Sequence, residues 1–135
     1  MRFVPSQSPN LLNRTHTYTS GRQTRFCVTF EVIEAWGFQY KSCLVWVKPQ
    51  LGMGNYWRVS HEFLLLGVRG SSPFTDKTRR SWVLNRRTRH SKKPFVFREL
   101  IEQVSPGPYL ELFGREEHPR TEWTVYGNQV ERKLF

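Results

Sequence analysis

The chain has 135 residues, which is about the length of one domain, and its 38% hydrophobic content suffices for a core and excludes a wholly disordered protein. The longest apolar stretch lies near residues 63–68 and is far too short to span a membrane, and the first ten residues lack the apolar region of a signal peptide. The two cysteines, Cys27 and Cys43, form no disulfide framework and fit a reducing compartment, so we expect a cytoplasmic protein.

The net charge of +10 is unevenly distributed along the chain. Residues 77–98 contain nine Lys or Arg and no Asp or Glu, whereas residues 99–135 hold seven of the eleven acidic residues. Such a local basic run favours a polyanionic partner. On charge alone, a solvated basic loop explains the run equally well.

The amino-terminal half divides into a leader and a regular region. Residues 1–29 are rich in Ser, Thr, Asn and Arg without a period of 2 or 3.6, so we expect an unstructured leader followed by a domain over residues 30–135. Phe30, Ile33 and Trp36 form one helical stripe, and Gly37 is suited to cap that helix. Strands are predicted over residues 40–47 and 62–68, with a Pro- and Gly-containing loop between them.

The carboxyl-terminal half continues with a loop, a helix and two strands. Residues 71–90 read as a polar, basic loop. Pro94 suits a first helical turn, and Phe97, Ile101 and Val104 then recur with helical spacing until the SPGP segment at 105–108. Strands follow over residues 109–113 and 123–126. Strands alternating with helices predict an α/β architecture.

The loop inside residues 46–70 has more chemical groups than a connection between strands needs. Strand ends that carry such loops are common ligand sites in α/β proteins. The candidate substrate-loop residues are Lys48, Asn55, Tyr56, Trp57, Arg58, His61 and Glu62.

Three further segments are weak signals when taken singly. HSKKP at 90–94 opens a helix and suits an anion, or is merely a basic cap. ELFGR at 111–115 ends a strand, and an acidic residue at such a strand end often accepts hydrogen bonds from ribose hydroxyls. The alternative is an ordinary strand and turn with a surface ion pair. GNQV at 127–130 offers amides that can read adenine or ribose, although a simple turn is the commoner explanation.

Together, in this order, the segments resemble the MT-A70 family of S-adenosylmethionine-dependent adenine N6-methyltransferases. The matching segments are IEAWGF, VWVKPQLGMGNYWRVSHEFLLLGVRG, HSKKP, SPGPYLELFGR and WTVYGNQ, within residues 30–130. The resemblance implies a Rossmann-like methyltransferase fold in permuted order, with S-adenosylmethionine as cofactor and a nucleic acid (DNA or RNA) carrying the target adenine. It implies no metal and no membrane, and it is compatible with a homo- or heterodimer.

By the same resemblance, Lys93 is expected to meet the methionine carboxylate of the cofactor. Four residues resemble the strand-end wall near its ribose: Glu111, Leu112, Phe113 and Arg115. His118 lies where the family has a polar ribose contact, and Asn128 and Gln129 resemble the pair that contacts ribose and adenine. The loop around Trp57 resembles the mobile element beside the target base, where aromatic rings stack and Arg58 holds a phosphate.

The sequence also departs from the family pattern. The family's catalytic Asp-Pro-Pro-Trp segment is absent, and so is the strand that normally precedes the IEAWGF helix. We therefore expect a fold that is incomplete at its amino-terminal side, and no methyl transfer by this chain alone. A non-catalytic nucleic-acid-binding partner subunit of the same fold and a non-functional gene remnant are the alternatives.

Residues 15–27 suggest an origin for this departure. Reverse-translated and read from the third base of each codon, they permit the family pattern H-L-Y-L-W-T-T-N-A-F-L at every step. We therefore hypothesise that residues up to about 29 are translated out of frame, with a genuinely divergent leader as the alternative.

Overall fold

A computed structural model describes residues 2–5, 15–21, 26–88, 92–117, 119 and 122–131. None of the helices in these ranges is long and apolar enough to cross a membrane. The elements in chain order are β1 (Arg2–Pro5), β2 (Thr15–Gly21), α1 (Phe26–Ala35), β3 (Gln39–Val47), β4 (His61–Arg69), β5 (Trp82–Leu84), α2 (Val96–Val104), β6 (Tyr109–Leu112) and β7 (Trp123–Tyr126).

The strands form one sheet in the order β5-β3-β4-β2-β1-β6-β7. β3 with β5 and β6 with β7 pair parallel, and the other four neighbouring pairs are antiparallel. Followed across the sheet, these pairings make β5, β3, β2, β6 and β7 run in one direction, with β4 and β1 reversed. The predicted mixed α/β architecture is confirmed. The carboxyl ends of five strands meet at one end of the sheet, which we call the carboxyl end.

Each face of the sheet packs against one helix. Successive residues of a strand point to opposite faces, so Leu64 and Leu65 of β4 belong to different clusters. Leu64 packs with Trp46 and the buried face of α2, which contributes Phe97, Ile101 and Val104. Leu65 packs instead with Ile33 of α1 and with Phe38. These clusters anchor both helices and thereby place the loops at the carboxyl end.

The largest difference from the sequence-based expectation lies in residues 1–29. The structure pairs β1 and β2 with the sheet, whereas the polar composition predicted a segment without regular structure. A strand therefore does precede α1, and α1 begins at Phe26, four residues earlier than expected. β2 lacks an alternating apolar face, but Thr17 is fully buried opposite Gly67. A side chain at Gly67 would lie 2.8 Å from the Thr17 methyl group, so glycine permits this close strand pairing.

Another difference is β5, which lies inside the predicted loop 71–90. This three-residue strand extends the sheet beside β3, with the Val45 amide donating to the Ser81 carbonyl over 2.8 Å. Its side chains are mostly exposed, and so it gives no hydrophobic pattern.

Between residues 74–81 and the sheet lies a cavity of about 250 Å³, lined by Leu44, Leu66, Phe74 and Leu100 among others. It opens beside the middle of β3, away from the carboxyl end of that strand.

Candidate functional site

The loop that joins β3 to β4 folds back on itself at the carboxyl end. The Lys48 amide donates to the Ser60 carbonyl over 2.7 Å, and the Gly52 amide donates to the Val59 carbonyl over 2.9 Å. A Cβ atom on Gly52 would lie 2.2 Å from that same Val59 oxygen, so only glycine fits where the two arms of the loop approach. The glycines thus produce a narrow loop that projects its tip into solvent.

The tip of this loop is an exposed aromatic and basic surface. Tyr56 is 95% exposed and Trp57 is 90% exposed, and both neighbours, Asn55 and Arg58, are exposed as well. Large aromatic side chains so fully in contact with water contribute little to the core. Their placement fits the predicted role of the loop as a contact surface.

At the base of the loop, one carboxylate joins two cationic side chains. Glu62 accepts hydrogen bonds from Lys48 on one oxygen and from Lys93 on the other. All three side chains are at most 17% exposed. Burial acts to raise the pKa of Glu62, but the hydrogen bonds and positive charges of the two lysines outweigh it and lower the pKa below its ordinary value. Glu62 is therefore a carboxylate at neutral pH.

Trp46 forms the floor beneath this cluster. The Lys48 ammonium lies 4.3 Å from the centroid of the indole ring, and the Lys93 ammonium lies 5.2 Å from it. The indole N–H donates to the Asn85 carbonyl over 2.7 Å, and the ring packs against Phe97 of α2. The cluster therefore stands on a fixed aromatic surface that favours cations. Sequence reasoning treated Trp46 only as part of a strand.

His61 is separated from this cluster by the alternation of β4. Its ring lies 5.0 Å from the ring of Phe63, and Phe63 packs with the α1 cluster. Glu62 points to the opposite face, toward Lys93. The structure therefore brings Lys48, Glu62 and Lys93 together and leaves His61 on the other side of the sheet.

The parallel strands β6 and β7 bring a second set of candidates together. Leu112 lies opposite Tyr126 in the ladder, and the Gly114 amide donates to the Tyr126 carbonyl over 3.0 Å. A Cβ atom on Gly127 would lie 1.8 Å from the Gly114 oxygen, so the two strand ends approach more closely than any side chain allows. Four predicted cofactor residues flank this approach and are exposed: Phe113, Arg115, Asn128 and Gln129.

Glu111 lies deeper, and its partner was not predicted. Its side chain is 1% exposed and its Oε2 accepts from Nε of Arg98 over 2.7 Å. Burial raises the pKa of Glu111 above its ordinary value, although the charge and hydrogen bond of Arg98 act to lower it. Arg98 itself is buried on α2, and the sequence indicated only that it belongs to the basic run. His118 lies outside the described residues.

The amino end of α2 lies between these two sets. Lys92 forms an ion pair with Glu116 at 2.7 Å, and Nη2 of Arg98 donates to the Glu116 carbonyl over 3.2 Å. Lys93 follows Lys92 directly and contacts Glu62. The segment before α2 therefore connects the β3–β4 loop to the loop after β6.

The basic run of residues 77–98 divides into paired and exposed members. Lys92, Lys93 and Arg98 are held by carboxylates within the fold. Arg86 and Arg87 are exposed, and Arg87 lies beside the β3–β4 loop, where its Nη2 donates to the Leu51 carbonyl over 3.4 Å. Arg87 thus adds a cation beside this loop, whereas Lys77, Arg79 and Arg80, which are also exposed, line the cavity beside the middle of β3.

Comparisons with known proteins show the family of this chain. The MT-A70 family model matches residues 18–129. The chain is 30% identical over 112 residues to the human N(6)-adenosine-methyltransferase catalytic subunit METTL3, an alignment that covers 75% of this chain and 19% of that protein. It is 28% identical over 109 residues to a putative N(6)-adenosine-methyltransferase MT-A70-like protein of Medicago truncatula, covering 74% and 18% of the two chains.

The alignments cover most of this chain but only a small part of each relative. This chain spans about a fifth of the length of the curated relatives it matches. The family match begins at Tyr18, inside the segment that we hypothesise to be translated out of frame, and it continues almost to the end of the described residues. Because the match covers most of the chain and includes both sets of residues at the carboxyl end of the sheet, we conclude that this protein belongs to the MT-A70 family.

Proposed function

We propose that this chain is part of an adenine N6-methyltransferase of nucleic acid, DNA or RNA, that uses S-adenosylmethionine. The observation that carries the proposal is the convergence of its candidate residues at the carboxyl end of one sheet. Ligands of open α/β sheets bind at this end, and the ends of β6 and β7 approach there through Gly114 and Gly127. The direction shared by five strands supports a Rossmann-like, permuted fold.

The residues present fit the cofactor. Lys93 offers an ammonium group for the methionine carboxylate, and it lies at the segment that opens α2. Arg115, Asn128 and Gln129 offer exposed donors beside the glycine pair for ribose and adenine, and Oε1 of Glu111 is a buried acceptor without a hydrogen-bond partner among the described residues. When bound, S-adenosylmethionine would supply an electrophilic methyl group.

The substrate side is proposed for the β3–β4 loop and the exposed arginines beside it. Trp57 and Tyr56 are suited to stack on an unstacked base, because their rings are almost fully exposed. Arg58, Arg86 and Arg87 are suited to phosphates. Extruding an adenine from a duplex costs a few kcal/mol, which such stacking would offset.

A second candidate function is a non-catalytic nucleic-acid-binding partner subunit within a homo- or heterodimer. It is favoured by one observation, the absence of the Asp-Pro-Pro-Trp segment from the sequence. In that case the aromatic and basic loop surface would be retained for nucleic acid while the cofactor would not be bound. Binding of the cofactor therefore separates the two functions.

The test is isothermal titration of the 135-residue chain with S-adenosylmethionine, alongside a methyl-transfer assay on adenine-containing DNA and RNA. We expect cofactor binding without methyl transfer. Lys93→Ala should weaken binding, and Lys41→Ala, which removes an exposed lysine of β3, should leave it unchanged. Nucleic-acid binding without cofactor binding would favour the partner-subunit function, and unchanged affinity in Lys93→Ala would contradict the role of Lys93.

The origin of residues 1–29 is a separate proposal. We infer from the codon pattern that an upstream frame of the gene encodes the missing catalytic segment, while the pairing of β1 and β2 with the sheet describes how the present residues fold. Nucleotide sequencing upstream of Phe30 tests this directly. An upstream frame without Asp-Pro-Pro-Trp would rule the proposal out, whereas an in-frame chain that contains the motif should recover methyl transfer.

A further inference from the structure

We propose that Arg98 is a positioning residue, which orients Glu111 so that one carboxylate oxygen is presented to a ribose hydroxyl of the cofactor. The inference rests on the proposed cofactor site and deepens it. It assigns a role to a buried arginine of α2 that neither the basic run nor the family resemblance singled out.

The ion pair between Arg98 and Glu111 is asymmetric. Both Nε and Nη2 of Arg98 contact the same oxygen of Glu111, Oε2, with Nε at 2.7 Å. The other oxygen, Oε1, is buried and has no hydrogen-bond partner among the described residues. A buried carboxylate oxygen without a donor is costly, so this oxygen is expected to meet a donor in the working protein.

The free oxygen, Oε1 of Glu111, lies next to the end of β6. A Cβ atom built on Gly114 would lie 3.5 Å from Oε1 of Glu111, so this oxygen borders the glycine at the end of β6. Gly114 in turn meets Gly127 at the end of β7. Both glycines are buried and closely packed, Gly114 against Val125 and Gly127 against the Gly114 backbone, so they bring the two strand ends together beside this oxygen. The free oxygen therefore faces the place where the carboxyl ends of the two parallel strands meet.

Arg98 makes a second contact, with the loop after β6. Its Nη2 also donates to the Glu116 carbonyl over 3.2 Å, which ties the loop after β6 to α2. One side chain thus holds both Glu111 and the loop that carries Arg115. A hydroxyl group is the neutral donor that suits a lone buried carboxylate oxygen, and the ribose of the cofactor carries two hydroxyls.

The test compares two ligands by isothermal titration: S-adenosylhomocysteine and its 2′,3′-dideoxyribose analogue. Since a hydrogen bond to a charged group contributes about 1.5 to 3 kcal/mol, the wild-type chain should bind the hydroxylated ligand at least about tenfold more tightly. Arg98→Met should lower this ratio about tenfold from its wild-type value, since only the contact of Glu111 is lost, and Arg98→Lys should restore part of it. Glu99→Gln, an exposed substitution next on the same helix, should leave the ratio unchanged.

A purely structural role of Arg98 would weaken both ligands equally, so an unchanged ratio in Arg98→Met overturns the proposal. If that variant does not fold, the Arg98→Met/Glu111→Met double variant replaces the buried pair with apolar side chains, which buried pairs often tolerate. It should fold and show the same lowered ratio, and a retained wild-type ratio would again overturn the inference. A wild-type ratio near one contradicts the role of Glu111 alone, whereas no binding of either ligand contradicts the proposed function.

Discussion

Glu62 and Lys93 lie 31 residues apart in sequence, and the structure joins them in an ion pair at the base of the β3–β4 loop. The lysine proposed to meet the methionine carboxylate is thus already held by an internal carboxylate. A cofactor carboxylate would have to compete with Glu62 for Lys93. The same contact couples the proposed substrate side of the site to its cofactor side.

This competition predicts the effect of Glu62→Gln on cofactor affinity. Removing the negative charge frees Lys93 and leaves two lysines near the incoming carboxylate, so S-adenosylmethionine should bind about three- to tenfold more tightly, which corresponds to roughly 1 kcal/mol. Isothermal titration at pH 7 measures the change. The control is Glu99→Gln, which removes an exposed carboxylate of α2. Equal or weaker affinity in Glu62→Gln would show that Glu62 supports the site instead of competing for it.

The pKa of Glu62 predicts how this ion pair depends on pH. Its folded-state pKa is lowered, so the pair stabilises the fold above the unfolded-state pKa and loses that contribution as the pH falls through the folded value. The free energy of unfolding of the wild type should therefore exceed that of Glu62→Gln at pH 7, by about 1 kcal/mol, and the difference should disappear in strong acid. Urea unfolding at a series of pH values provides the measurement. A difference that grows on acidification would contradict the lowered pKa.

The exposed aromatic residues of the loop predict a loss of binding without a loss of stability. Trp57→Ala should weaken binding of an adenine-containing single-stranded oligonucleotide by about 1 to 3 kcal/mol if the ring stacks on a base. The thermal midpoint should stay unchanged because the ring is 90% exposed. Fluorescence anisotropy with DNA and RNA versions of one oligonucleotide measures the affinity. Met53→Ala, at a position 88% exposed in the same loop, is the matched control and should have little effect.

The glycine contact between β6 and β7 predicts a strong effect of Gly127→Ala. A Cβ atom there would lie 1.8 Å from the Gly114 backbone oxygen, so the two strand ends must separate, at a cost of about 3 kcal/mol or more. Gly37→Ala is a useful comparison, since its nearest non-neighbouring atom is 3.9 Å away and its cost of about 1 to 2 kcal/mol arises from its positive φ angle alone. Chemical denaturation ranks the two variants. Equal destabilisation would contradict the close approach of the strand ends.

The sequence alone predicted most elements of the domain and the family. Hydrophobic periodicity predicted α1, α2, β3, β4, β6 and β7. Each of these elements buries apolar side chains on the sheet, and this burial gives its sequence a recognisable apolar pattern. It missed β1 and β2 within residues 1–29, where no regular apolar period occurs although Thr17 is buried, and it missed β5, which is short and exposed. The order of the motifs along the chain indicated the MT-A70 family, because the members of a family share functional motifs in the same order.

Only the tertiary structure decided how the candidate residues are used. Side-chain partners depend on which strands are neighbours and which face each residue occupies, and a local pattern does not encode either. The sequence grouped His61 with Glu62, and the pleat of β4 separates them onto opposite faces. It placed Arg98 in the basic run and assigned Lys93 to the cofactor carboxylate, and packing of α2 against the sheet joined them to Glu111 and Glu62. The candidate residues could therefore be identified from the sequence, whereas their partners are determined by long-range contacts in the folded protein.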